Sequence, residues 1–155
     1  MYLKRHTCVW LELTTLLIPG VNDSDRELEK LTRWVVESLG PDVPLHFSAF
    51  HPDFRMLDRP PTPPETLRRA RRSACKNGVR YAYVGNVRDP EADSTYCHAC
   101  ETLLIGRDWY ELTGWYLKEG NRCPACGAAC AGIFECRPGD WGRQRLPVRL
   151  SDLQN

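Results

Sequence analysis

The sequence predicts an α/β chain in two parts: a parallel β-α-β-α-β unit over residues 1–89, then a small all-β unit over residues 95–155. Three observations predict it. In the first part, β-branched and apolar runs alternate with capped amphipathic segments. The texture changes over residues 89–94, after which no helical period is sustained. The second part carries two Cys-x-x-Cys pairs among scattered aromatics and glycines.

Residues 9–18 are rich in β-branched and apolar side chains, as expected of a buried parallel strand. Pro19-Gly20 ends it. Ser24 and Glu27 form a capping box, in which the serine accepts from a backbone N–H and the glutamate reaches back. A helix follows with Leu28, Leu31, Val35 and Leu39 on one face, and Gly40-Pro41 stops it. Residues 43–50 form the second strand. Residues 51–63 are a proline-punctuated loop, longer than a minimal connection needs. Thr62 and Glu65 read as a second capping box with proline in the first turn. The helix runs to Asn77, and Gly78 fits its carboxyl-terminal cap. Residues 79–84 complete the unit. Strands joined by helices pair in parallel with right-handed crossovers. Three strands do not close a barrel, and they leave two edges that proteins normally cover.

The chain has 155 residues and 42% hydrophobic residues, enough for one medium domain or two small ones with a core. Its formal net charge of +1 provides no overall field to steer a polyanion. Residues 9–18 are too short to cross a bilayer and contain Glu12 and the Thr14-Thr15 pair. Lys4 and Arg5 precede that run, loosely as in a secretion signal, but Glu12 and the lack of a small-x-small cleavage site argue against one. Eight cysteines without such a signal suggest metal binding in a reducing, cytoplasmic setting. The basic run Arg68, Arg69, Arg71 and Arg72 lies on the second helix, whose buried stripe is Leu67, Ala70 and Ala74, so it reads as a solvated face. Residues 95–155 hold seven basic and seven acidic side chains, which argues against a nucleic-acid partner. No membrane partner is expected.

Cys97 and Cys100 form one pair, and Cys123 and Cys126 form the other, 22 residues later. Each Cys-x-x-Cys turn can present two sulfurs to one ion, and two such turns close a tetrahedron. A closed site is structural, because catalysis needs an open position. Zinc is the expected ion, and iron in a rubredoxin-like site is the alternative, since four thiolates hold either. Four buried thiols or two disulfides are the plainer reading, which the doubled spacing disfavours. The unit is thus zinc-ribbon-like. Its thin aromatic core would leave much of the folding energy to the metal. Gly127, after Cys126, suits a positive φ, whereas Glu101 stands at the matching place after Cys100. Cys130 and Cys136 read as free thiols or alternate ligands, and Cys8 and Cys75 as small buried hydrophobes.

The stretch from Leu16 to Asp25, Leu-Leu-Ile-Pro-Gly-Val-Asn-Asp-Ser-Asp, resembles the late-strand motif of pyruvate formate-lyase activating enzymes. Phe47-Ser-Ala-Phe-His-Pro-Asp53 resembles their next strand end, which presents a histidine. The likeness is greatest to the AmmeMemoRadiSam system radical S-adenosylmethionine (SAM) enzymes. It covers residues 10–59 and the cysteine region through Trp141. The resemblance implies a partial TIM-like barrel, a [4Fe-4S] cluster and SAM, whose reductive cleavage yields a 5′-deoxyadenosyl radical. It also implies that His51, at a strand's carboxyl end, lies near the SAM adenosine. Two departures stand out. The family's Cys-x3-Cys-x2-Cys cluster motif is not in this sequence, and Thr14 stands where activating enzymes often carry arginine. The expectation is a carboxyl-terminal portion of such an enzyme: a truncated frame, a fragment or a split half. It would be inactive alone and would partner a separate amino-terminal barrel half, with a protein or small-molecule substrate. A non-catalytic zinc-ribbon module and a rubredoxin-like electron carrier are the alternatives.

Overall fold

The structure, a computed structural model, describes residues 1–135, 138 and 139. A short helix α1 (Tyr2–His6) precedes β1 (Leu13–Leu17), α2 (Asp25–Leu39), β2 (Leu45–Ala49), α3 (Pro64–Lys76) and β3 (Ala82–Gly85). A one-turn helix α4 (Pro90–Asp93) leads to β4 (Thr95–Tyr96), β5 (Leu103–Asp108) and β6 (Glu111–Trp115). The expected β-α-β-α-β order is present, with strands shorter than the apolar runs suggested. The helices α1 and α4 carry no long periodic pattern, and the sequence reading did not find them.

β1, β2 and β3 form a parallel sheet in chain order, and β4, β5 and β6 a separate antiparallel one. The mixed α/β class is therefore observed, with a three-stranded parallel sheet and no closed barrel among the described residues. Both crossover helices bury their apolar stripes on the same face. Leu28 and Val35 of α2 and Leu67, Ala70 and Ala74 of α3 join Leu17, Leu45, Phe47 and Val84 in one core. Because the strands advance in one direction and both helices lie on one side, the two crossovers have the same hand.

The opposite face is different. In register across it run Thr14, His46 and Tyr83, and then Leu16, Ser48 and Gly85. Thr14 is exposed and Leu16 is 44% exposed. The expectation that β1 is buried on both faces is corrected here: no described element covers its second face.

The carboxyl ends of the strands are braced by their loops. Asn22 accepts from the Ile18 N–H at 2.8 Å and donates to the Leu16 carbonyl at 2.9 Å, so the Pro-Gly-Val-Asn turn folds back on its own strand. The first capping box forms in a modified way. Ser24 Oγ accepts from the Glu27 N–H at 3.4 Å, while its own hydroxyl donates to the Glu27 carboxylate at 2.9 Å. At α3, Gly78 takes φ +99° and two bonds close the end, Gly78 N–H to Cys75 O and Val79 N–H to Ala74 O. The basic run on α3 is partnered within the chain. Arg68 pairs with Asp89 at 2.6 Å, Arg69 pairs with Asp25, Arg71 donates to the Ala82 carbonyl, and Arg72 pairs with Glu65.

The second capping box does not form. Pro63 is the cap residue of α3, without a side-chain bond, and Glu65 turns to Arg72 instead. Thr62 is buried and does a different task. Its hydroxyl donates to the Leu17 carbonyl at 2.5 Å and accepts from the Phe50 N–H at 2.9 Å, tying the ends of β1 and β2 together. A buried polar group left unpaired costs about 1–3 kcal/mol. Thr62→Val, which keeps the shape and orphans both partners, should therefore lower the unfolding free energy by about 2 kcal/mol in urea titration. Thr62→Ser should cost much less.

Candidate metal centre

Two backbone turns of matching design carry the four cysteines. In the first, Glu101 N–H donates to Cys97 O at 2.9 Å, and Cys97 N–H to Thr102 O at 2.8 Å. In the second, Gly127 N–H donates to Cys123 O at 3.0 Å, and Cys123 N–H to Ala128 O at 2.9 Å. The residue after each second cysteine is left-handed: Glu101 at φ +60° and Gly127 at φ +76°. Glycine adopts this conformation freely, whereas a residue with a Cβ is strained there by about 1–2 kcal/mol. The two turns are thus the same device, with the strain borne by the first.

The turns converge. Cys97 Sγ lies 3.6 Å from Cys126 Sγ, and Cys100 Sγ lies 3.6 Å from Cys123 Sγ. All four sulfurs lie within 4.8 Å of one another. A tetrahedral ion with sulfurs at about 2.3 Å requires sulfur–sulfur separations of about 3.8 Å. The cluster fits that requirement, and no sulfur–sulfur bond is present. Cys97 and Cys123 are buried, while Cys100 and Cys126 are exposed. Cys100 is drawn down to about 6 by the Thr102 hydroxyl and backbone N–H, so it ionises readily. At Cys126 the Ala128 N–H acts to lower the value, but hydrogen bonding with the sulfurs of Cys100 and Cys97 pushes it up to about 12. Crowded thiols cannot all ionise on their own, and a divalent cation removes that conflict.

Cys130 does not belong to this group. It is 5% exposed, packs with Tyr81, Leu104 and Ile105, and lies outside the four-sulfur cluster. Cys136 lies outside the described residues. Cys8 and Cys75 are exposed, which corrects their reading as buried hydrophobes. Cys8 precedes β1, and Cys75 sits on the side of α3 away from the Leu67–Ala70–Ala74 stripe. His51 lies just beyond the carboxyl end of β2, exposed, and its ring makes no hydrogen bond to the described residues.

The metal unit is joined to the parallel sheet through β3. Tyr81, just before β3, packs in the same cluster as Cys97 and Cys123, and its hydroxyl accepts from the Ala131 N–H at 3.0 Å. Tyr83 bonds Thr95 at 2.9 Å, and Arg88 pairs with Asp108 at 2.8 Å. Sequence reasoning missed Tyr81 and Tyr83, which carry no motif. No helix among the described residues is long and apolar enough to cross a membrane.

No family profile matches this chain. No solved structure matches it either. A protein of Methanocaldococcus jannaschii, described as uncharacterized, is 43% identical over 126 residues, which is 81% of this chain and 38% of that protein. The chain therefore spans well under half the length of the relative it matches.

The centre yields two expected outcomes. The purified chain should bind one divalent ion, measured by elemental analysis. Cys100→Ser or Cys126→Ser should lose it, and Cys130→Ala should retain it at some cost in stability. Glu101→Gly, which removes the left-handed strain, should raise thermal stability by up to about 1 kcal/mol, whereas Gly127→Ala should lower it by a similar amount.

Proposed function

We propose that this chain supplies late strands of a partial β/α barrel of the radical SAM kind, close to the AmmeMemoRadiSam system enzymes, and that its four-cysteine centre is a structural zinc site. The observation that carries the reading is the one-sided sheet. Strands in chain order with both helices outside are the winding of a β/α barrel, and a doubly wound sheet would put helices on both faces. The uncovered face and the unpaired side of β1 are where further strands and their contents would lie. The match to part of a much longer relative is in keeping with this.

The chain's own residues do not fit the iron–sulfur cluster. Four cysteines are committed to the two turns, Cys130 is buried among apolar side chains, and no Cys-x3-Cys-x2-Cys occurs. The cluster belongs to the remaining barrel segment in this reading. The chemistry that a cluster and SAM would supply there is hydrogen abstraction from a substrate. This chain contributes the β1–β2–β3 wall, the loop that carries His51 at its mouth, and a metal unit that covers the β3 side. His51, exposed beyond the end of β2, would hold the adenosine by a hydrogen bond in this reading. Four thiolates hold zinc or iron alike, and this reading takes the ion as zinc, in a closed structural site.

A second reading rests on the exposure of Cys100 and Cys126. Two exposed cysteines would bring an iron ion close to the surface, where it could exchange electrons as in a rubredoxin-like carrier. A red preparation with a reversible one-electron couple would establish that reading, and a colourless zinc protein excludes it.

Co-expression with an amino-terminal barrel segment that carries Cys-x3-Cys-x2-Cys, followed by anaerobic purification, tests the proposal. The expected result is a stable brown complex that forms 5′-deoxyadenosine from SAM and a strong reductant. His51→Ala should then weaken SAM binding by about tenfold. Failure of the two segments to associate, or a complex that leaves SAM intact, would contradict it.

A further inference from the structure

On the uncovered face of the parallel sheet lies an open cleft of about 540 Å³. Its floor is the polar row of β2 and β3, and its far wall is the β5–β6 hairpin. His46 Nε2 lies 2.9 Å from Glu12 Oε2, and Trp10 Nε1 donates to Glu12 Oε1 at 2.8 Å. The carboxylate accepts from Nε2 of His46, and Nδ1 has no hydrogen-bond partner among the described residues. His46 stacks on Tyr83, ring centroids 5.0 Å apart. Arg107 lies over the same Tyr83 ring at 5.7 Å and donates to Thr95 Oγ1 at 2.7 Å, which in turn bonds the Tyr83 hydroxyl.

Arg107 is half-buried and faces this cleft without a carboxylate partner among the described residues. Its guanidinium contacts are the Thr95 hydroxyl, the Asp93 main-chain oxygen and a ring face, and the half-buried Asp93 carboxyl, which lines the same cleft, acts on it through space without forming an ion pair. Arg33, Arg68, Arg69, Arg72, Arg80 and Arg88 each pair with a carboxylate, and Arg59, Arg71 and Arg122 bond main-chain oxygens; what sets Arg107 apart is its place in the cleft, over the Tyr83 ring. A partly desolvated guanidinium, held in place by neutral acceptors and a ring, keeps donors for a planar oxyanion. Around it stand Trp10, Trp109 and Phe134, flat apolar surfaces that line the same space.

We infer that this cleft binds a small oxyanion on a flat apolar body, a carboxylate or a phosphate ester, with Arg107 as its anion receptor and the His46–Tyr83 stack as its floor. In the reading above this cleft faces the barrel interior, but every residue the inference uses belongs to this chain. Anion binding there would survive a failure of the radical chemistry, which concerns the cluster-bearing segment and His51.

Equilibrium dialysis of the zinc-loaded full chain with benzoate, phenyl phosphate and neutral benzamide tests it. One site per chain should bind benzoate or phenyl phosphate at least about tenfold more tightly than benzamide, as a charged hydrogen bond in a half-buried place provides. Which of the two anions binds better tells carboxylate from phosphate. Arg107→Met should abolish the preference for anions over benzamide, and Arg107→Lys should retain part of it. Trp109→Ala, at the rim, should weaken all three probes alike. Equal affinity for benzoate and benzamide in the unaltered chain would overturn the inference without recourse to any variant. So would the absence of saturable binding, or a preference that persists in a folded Arg107→Met protein.

Discussion

Convergence of four sulfurs on one point organises the carboxyl-terminal part of this protein. Residues 95–135 form a short antiparallel sheet, two turns and little else, and their apolar core is one small cluster with Tyr81 and three cysteines, Cys97, Cys123 and Cys130, inside it. Such a core is small against the entropy of ordering its loops, and an ion bound by the four sulfurs would supply much of the folding energy. The consequence reaches the first part of the chain. Tyr81 and Tyr83 tie the four-cysteine unit to β3 through Ala131 and Thr95, so that unit borders one side of the open sheet face.

That face is the second organising feature. The helices fill one side of the sheet with an apolar core in which Leu17, Leu28, Leu45, Phe47 and Leu67 are almost fully buried. The other side presents Thr14, His46 and Tyr83 in one row, with Glu12 and Arg107 at its borders. A polar row in the middle of a parallel sheet would be costly if merely packed over, and it suits a surface that lines a site. The metal unit closes one flank of this surface and leaves its centre accessible to a ligand.

Much of this was legible in the sequence, for reasons that differ from element to element. The helices α2 and α3 announce themselves by apolar stripes and by Ser24, Gly40 and Gly78 at their ends. The metal ligands are legible because the Cys-x-x-Cys turn encodes geometry locally. Glu101 is instructive: its side chain disfavours the left-handed turn, yet the four-sulfur convergence imposes it. Thr62 shows the limit of local pattern. A threonine three residues before a glutamate reads as a cap, but the carbonyl of Leu17, 45 residues away, claims its hydroxyl. The pairing of Glu12 with His46 and the placing of Arg107 over Tyr83 are likewise products of strand register and of docking between the two sheets, which no short-range signal records. Cys8 and Cys75 are exposed against expectation, because a cysteine's burial depends on which side of its element faces the core, and single residues do not announce that.

X-ray absorption at the metal edge of the purified chain tests the central claim most directly. If the two turns share one ion, the spectrum will show a single shell of four sulfurs at about 2.3 Å. A first shell that contains nitrogen or oxygen, or fewer than four sulfurs, would contradict it.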